Sequence, residues 1–377
     1  MCKSREESSR DLAELHFSQN PFVAMGFFTN ITYPDWGKSS KKIRMGEKSI
    51  QNHLFDIIRK QLPANLAMVD CIADLLEISN DSAYRRLRGE TLLNIEEVMV
   101  ICDKFRISLD SLRVSDVVNF RYKPLPADNT SLPVYLSGIM AEMKMINAIE
   151  KKHIIFTAED LPIFHYFKYG LLTAFKLYYW NRSVLNSPQF AGKKFNPNLV
   201  DDSLIKTAYE IYELYIKIPS IEVWTEDTIS AVLKQVEYYW DSGFFEEKAH
   251  AITVCEQISE MISTIQEDSE LGTKLRNNTL KDVTNYTLYQ SEVPIGNNCI
   301  QVTMNDVKVI YFSFNTFNSM STSNFAFCEE TDLWIKNLIS KSTQISGVAE
   351  KKRNQFFNGL RRQIQGLKQK IKESGQD

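Results

Sequence analysis

The chain has 377 residues, a formal net charge of −3 and a pI of about 6.1. With 44% apolar and 24% charged residues it has ordinary globular composition and length for two or three domains. The charge balance excludes a histone-like coater of nucleic acid, so any contact with DNA requires a local basic patch.

Cys2, Cys71, Cys102, Cys255, Cys299 and Cys328 are sparse and form no C-x-x-C pair. They read as reduced thiols rather than a disulfide scaffold. The first fifteen residues are charged and carry no secretory signal. The most apolar region, Phe164–Trp180, is interrupted by His165, Lys168 and Lys176, which favours a core helix over a membrane span. The expectation is a cytoplasmic protein with no membrane contact.

Residues 1–44 mix charge, turn signals and a basic run, Lys38–Arg44, without periodicity. They read as a disordered arm or an extension upstream of a start at Met45. If they form an arm, Lys41, Lys42 and Arg44 are its candidate DNA contacts. Residues 45–115 then read as a small all-α domain of five short helices. Ile50, Leu54, Ile57 and Ile58 share one face of the first helix. Val69, Ile72, Ala73 and Leu76 stripe the second, and Ser79–Arg88 forms the third, closed by Gly89. Ile95, Val98, Met99, Cys102 and Phe105 stripe the fourth, and Ser108 caps a fifth that carries Leu109 and Leu112.

Residues 116–133, with Pro124, Pro126 and Pro133, read as a linker. Residues 134–377 read as a larger, mainly helical domain for sensing or oligomerisation. A small β-hairpin or sheet is expected within 285–317. There Ile300, Val302 and Met304 alternate, Asn305-Asp306 makes a turn, and Val307, Val309 and Tyr311 alternate again. The aromatic residues of 164–180 suit a core better than a ligand pocket. Near the chain end, Leu360, Ile364, Leu367 and Ile371 repeat at heptad-like spacing among basic residues. Three roles fit that stripe: dimerisation, packing on its own domain, or contact with DNA.

The chemistry concentrates in 72–90. Ala73 is small where two helices cross, and Leu76, Ile78, Ala83 and Leu87 make the seam between them. Ser79 suits an N-cap and Gly89 the left-handed residue that ends a helix. Asn80, Asp81, Ser82, Tyr84, Arg85 and Arg88 are left on the outer face or at the helix N-terminus. Arginine can bond guanine in bidentate fashion and asparagine adenine, while hydroxyls reach phosphate. Three arginines within four residues supply a local positive patch.

This segment resembles the lambda-repressor-like (Cro/Xre) family of bacterial helix-turn-helix regulators. Ala73, Ile78-Ser79 and Ala83–Glu90 carry the resemblance, with Asn94–Glu97 and Ile107–Leu112 in the following helices. It covers about a sixth of the chain. It implies that the helix from Asn80 to Arg88 enters the major groove. Glu77 stands where the family's turn usually has glycine, which implies a left-handed residue at a cost of roughly 1–2 kcal/mol. The family's usual Gln at the start of the second helix is missing, and the connection Pro63–Met68 is longer than usual.

No phosphate-binding glycine loop or zinc motif occurs, and His16, His53, His153, His165 and His250 are scattered singly. No cofactor or metal is expected. The expected function is sequence-specific regulation of transcription by a homodimer on duplex DNA, with an unknown ligand or protein partner for the carboxyl-terminal domain. Two rivals are an enzyme or enzyme-like effector targeted by the helical module, and a protein-interaction module that binds no DNA.

Overall fold

The computed structural model describes residues 50–62, 66–105, 107, 109, 117–126, 128, 131–275, 284–296 and 298–374. The arm at 1–44, the turn at Pro63 and the fifth helix read at Ser108–Leu112, Leu109 aside, lie outside the described residues. Described residues make a mainly helical protein, with twelve helices and one eight-stranded mixed sheet.

The amino-terminal module holds α1 (Ile50–Gln61), α2 (Met68–Leu76), α3 (Asn80–Leu87) and α4 (Ile95–Phe105). They enclose a small core of their own, with Leu54, Phe55, Ile58, Ile72, Ala83 and Ile101 almost fully buried. Two faces are turned from the positions that periodicity predicts. Ile50 is exposed while Gln51 is buried, because the Gln51 amide satisfies three backbone groups. Its Nε2 donates to Arg86 O (2.7 Å) and Thr91 O (2.9 Å), and its Oε1 accepts from Leu93 N (2.9 Å). On α4, Ile101 and Cys102 face the core, which leaves Ile95 and Met99 exposed.

The body begins with β1 (Arg121–Tyr122), α5 (Ser131–Ala148), β2 (Lys152–Ala158), α6 (Ile163–Tyr166) and α7 (Gly170–Tyr179). A single π-helical turn, Trp180–Val184, follows. Next come α8 (Asp202–Tyr215), β3 (Ser220–Trp224), α9 (Ser230–Asp241), α10 (Lys248–Leu271) and β4 (Tyr286–Gln290). The chain continues through β5 (Cys299–Met304), β6 (Val307–Phe314), β7 (Asn318–Thr322), α11 (Phe325–Ser340), β8 (Thr343–Gln344) and α12 (Glu350–Glu373).

The sheet order is β1-β7-β6-β5-β2-β3-β4-β8, with β2, β3 and β4 parallel and the other pairs antiparallel. The hairpin expected around Asn305-Asp306 is β5–β6, with Met304 paired to Val307 and Asn305 at φ 53°. The sheet extends well beyond 285–317, however, since β1, β2, β3, β7 and β8 all lie outside that range. Strands β2 and β3 sit inside a stretch whose pattern predicts helix. Both are covered on both faces, and a strand buried on both sides loses the polar alternation that would mark it. Ile154 and Phe156 enter the large core, while Ile155 faces α11.

Helices α5, α7, α8, α9, α10 and α12 supply the large core on one face of the sheet. Helix α11 packs on the other face through Cys328, Ile335 and Leu338. The aromatic run at 164–180 is core, as its spacing favours, apart from the half-buried Tyr179; His165 and Lys176, which interrupt it in sequence, are buried too. Helix α12 decides between the three roles of the heptad-like stripe. Leu360, Ile364, Leu367 and Ile371 are buried against the body, so they are not a free dimer seam. Each such side chain contributes about 1.5–3 kcal/mol of burial.

Among the described residues, no helix is long and apolar enough to cross a membrane.

Candidate nucleic-acid interface

Helices α2 and α3 are joined by Glu77, Ile78 and Ser79. Glu77 adopts the left-handed conformation that its place in the turn predicts, at φ 54° and ψ 43°. Its backbone N–H donates to Asp74 O, and the next N–H, from Ile78, donates to Ala73 O at 3.0 Å. Ser79 caps α3, its Oγ accepting from Ser82 N at 3.3 Å. Gly89 closes the other end at φ 75°, a conformation that glycine enters without steric cost.

Asn80, Asp81, Tyr84, Arg85 and Arg88 are all exposed, with Tyr84 at 51%. Positions 81, 84, 85 and 88 recur at helical spacing, so they share one face of α3 and its end. Ser82 differs. It is half-buried and its hydroxyl meets Ser79 Oγ at 3.0 Å, so it serves the cap. Asn80 Nδ2 donates to Asp70 Oδ1 at 3.1 Å.

The three arginines divide into two kinds. Arg86 turns inward and grips Glu97 of α4 with two hydrogen bonds, Nη2 to Oε1 at 2.6 Å and Nε to Oε2 at 3.2 Å. Glu97 Oε2 also accepts from Asn94 N while Asn94 Oδ1 accepts from Glu97 N, which makes a reciprocal cap for α4. Hydrogen bonding from Arg86 holds the Glu97 carboxyl below its usual range, against the opposing effect of burial. Arg86 is therefore a structural residue, and the outward patch rests on Arg85 and Arg88. Both lean on Glu90: Arg88 Nε is 3.0 Å from its carboxylate and Arg85 Nε 4.0 Å. Exposed pairs of this kind are held by well under 1 kcal/mol and release readily.

The surroundings are acidic. Asp70, Asp74, Glu77 and Asp81 are exposed on α2, the turn and the start of α3. Between Ile50 and Leu112 there are seven basic and ten acidic residues. Leu92, just before α4, and Ile95 and Met99 on α4 are exposed apolar side chains.

The body holds a polar cluster that sequence reading passes over. Glu222, 0% exposed, points from the centre of β3 into the large core. It accepts from His165 Nε2 (2.9 Å), Tyr215 Oη (2.5 Å) and Trp224 Nε1 (2.9 Å). Burial raises its proton affinity, but His165, Lys274 and Tyr215 outweigh that and hold the carboxyl below its ordinary range. Lys274 Nζ donates to Ser220 Oγ (2.6 Å) and Ile218 O (3.0 Å), which ties down the chain after α10. The adjoining cavity, lined by His165, Asp268 and Lys274, is about 10 Å³, room for no more than one water. The cluster is thus a locking point in the fold.

Burial pushes the Lys274 ammonium down to about 7, against the pull of Glu222 and Asp268. The unfolded chain keeps this proton up to about 10.5, so it binds more protons than the folded chain in between. Stability should therefore rise with pH in this window, by roughly 2–3 kcal/mol between pH 7 and 9 from this group. Urea midpoints at pH 7, 8 and 9 measure it, and Lys274→Met should remove the slope. A slope that survives the substitution unchanged would show that another group is responsible.

Among the described residues no three His, Cys, Asp or Glu side chains cluster as a metal site. The described cysteines are free, and burial pushes the Cys255 and Cys299 thiols up to about 12, far from reactive thiolates. No family model matches the chain, and it matches no curated protein and no solved structure.

Proposed function

We propose that residues 50–112 are a helix-turn-helix domain that binds duplex DNA in a sequence-specific regulator of transcription, with the body as its sensing or oligomerisation part. The observation that carries this is the exposed row of Asn80, Tyr84, Arg85 and Arg88 on a capped helix held by a left-handed turn. The resemblance of 72–90 to the lambda-repressor-like family supports it. In this proposal α3 lies in the major groove, where Arg85 and Asn80 read base edges. A homodimer would set two such helices about 34 Å apart on a palindrome. Its contact would use a surface other than the buried stripe of α12.

Selection of bound sequences from a random duplex pool by the full chain tests the proposal. A short enriched motif, palindromic for a dimer, is expected. Arg85→Ala should then lose about 1–3 kcal/mol at that motif, roughly 5- to 150-fold in affinity, with the fold intact. No enrichment, or unchanged affinity in both Arg85→Ala and Asn80→Ala, overturns it.

The acidic surplus and the exposed Leu92, Ile95 and Met99 favour a second reading, a protein-interaction module that binds no DNA. In that case the duplex pool yields no motif at any salt concentration.

A further inference from the structure

A cavity of about 480 Å³ opens where the extended segment before α5 meets the body. Three stretches of chain wall it. Tyr122 and Leu125 come from the extended segment, Tyr179 and Ser183 from the end of α7 and the π-helical turn, and Asn315 and Thr316 from the turn between β6 and β7. Two of the three walls have unusual backbone. The π-helical turn closes with Leu185 N donating to Trp180 O at 2.8 Å, and turns of this kind recur at functional sites. Thr316 stands at φ 73°, where a β-branched residue is a clear outlier, and Asn315 beside it at φ 49°.

The walls are braced to one another. The Trp180 indole stacks on the Phe317 ring with centroids 4.7 Å apart. Tyr135 Oη donates to Phe317 O at 2.6 Å, and Asn318 Nδ2 donates to Lys123 O at 2.9 Å. The cavity is therefore preformed, and its volume lies in the range of small-molecule sites.

Its lining selects a chemistry. Two tyrosine rings and the apolar Leu125, Val184 and Leu185 offer faces for a flat ring system. Thr316 and Asn315 offer a hydroxyl and an amide for a polar edge, while the Asn318 amide is taken up by Lys123 O and Ser319 N and the Ser183 hydroxyl meets Tyr239 Oη. None of the described lining residues is charged, so a phosphate or carboxylate would enter without a counter-charge. We propose that this cavity binds an uncharged heteroaromatic molecule of the nucleoside class, stacked on the tyrosines and hydrogen-bonded through its edge.

An occupant would touch Tyr122 in β1, the edge strand that pairs with β7 and leads back to the amino-terminal module. The cavity thus lies where the chain from the amino-terminal module enters the sheet, which suits the sensing role proposed above. Binding itself does not depend on that role.

Saturation-transfer NMR on the full chain with adenosine, guanosine, cytidine and uridine, each at low-millimolar concentration, tests the proposal. At least one nucleoside should bind, and its 5′-monophosphate should bind about tenfold more weakly for want of a counter-charge. Asn315→Gly keeps the positive φ and removes one amide, and should weaken binding several-fold without loss of stability. Ser183→Trp fills the cavity and should abolish binding. If that variant fails to fold, Asn315→Gly still decides. No binding by any of the four nucleosides overturns the proposal. So does a monophosphate that binds as tightly as its nucleoside, or unchanged affinity in Asn315→Gly. These outcomes are read without DNA, so failure here leaves the DNA-binding proposal standing, and the reverse holds.

Discussion

Replacing Glu222 with alanine should lower the stability of the body by about 3–5 kcal/mol, the range for removing one partner from a buried charged network. The side chain is 0% exposed and accepts from His165, Tyr215 and Trp224. Its loss leaves three buried donors without their acceptor and Lys274 without the carboxylate that favours its charge. The expected result is a large fall in the urea midpoint with little change in slope, since a similar surface is exposed on unfolding. The acid limb adds a second readout. The carboxyl is held below its unfolded value, so its contribution is complete above about pH 4.5 and is lost as pH falls through the folded value. Glu222→Ala should therefore unfold with a shallower dependence on acid than the parent. A variant within about 0.5 kcal/mol of the parent would mean that the network is no locking point.

The second large effect belongs to the amino-terminal module. Arg86→Ala should cost it about 2–4 kcal/mol, less than a fully buried pair because both side chains keep some exposure, 16% for Arg86 and 15% for Glu97. The pair ties α3 to α4, and Glu97 at the same time caps α4. Calorimetry should show the module's transition moving to lower temperature with that of the body in place. A double-mutant cycle of Arg86→Ala with Glu97→Ala should recover a coupling of more than 1 kcal/mol. Additive losses would mean that each residue acts alone. Arg85→Ala provides the contrast, since Arg85 is exposed beside the inward-turned Arg86 and its loss should leave stability unchanged, acting only on the DNA affinity proposed above.

Much of the module was legible because its devices are local. The Ser79 cap, the left-handed Glu77 and the closing Gly89 each follow from a few adjacent residues. The rotation of α1 and α4 was not legible. Periodicity locates a face only to within a residue, and Gln51 won a buried place by bonding backbone groups from 86 to 93. For the same reason Arg86 looked like part of a basic patch until Glu97 was placed beside it. In the body, the Asn305-Asp306 hairpin announced itself and the central strands did not, because they are covered on both faces. Glu222 lies in a stretch whose pattern predicts helix, and only its distant partners, at 165 and 274, mark it as a buried carboxylate. Heptad-like spacing on α12 fits packing against the body as well as it fits a partner chain, and spacing alone cannot tell them apart.

The order in which these parts leave the ribosome follows from how α12 is used. The module closes its core with residues between 54 and 107. The body pairs β2 with β5, some 145 residues later, and fills its core with Phe357, Leu360, Ile364 and Ile371. Its last turn is fastened by Trp240 Nε1, which donates to Ser374 Oγ at 2.8 Å. At about 5–20 residues per second, synthesis separates the two events by roughly 10–50 s. A local helical fold forms in far less time than that, and a sheet of long-range pairings cannot begin in earnest until its last strands arrive. For that interval the nascent chain carries a finished module ahead of an open body whose apolar strands have no cover. Protection of the unfinished polypeptide, by chaperones or by speed of elongation over 299–374, is thus a requirement built into the topology.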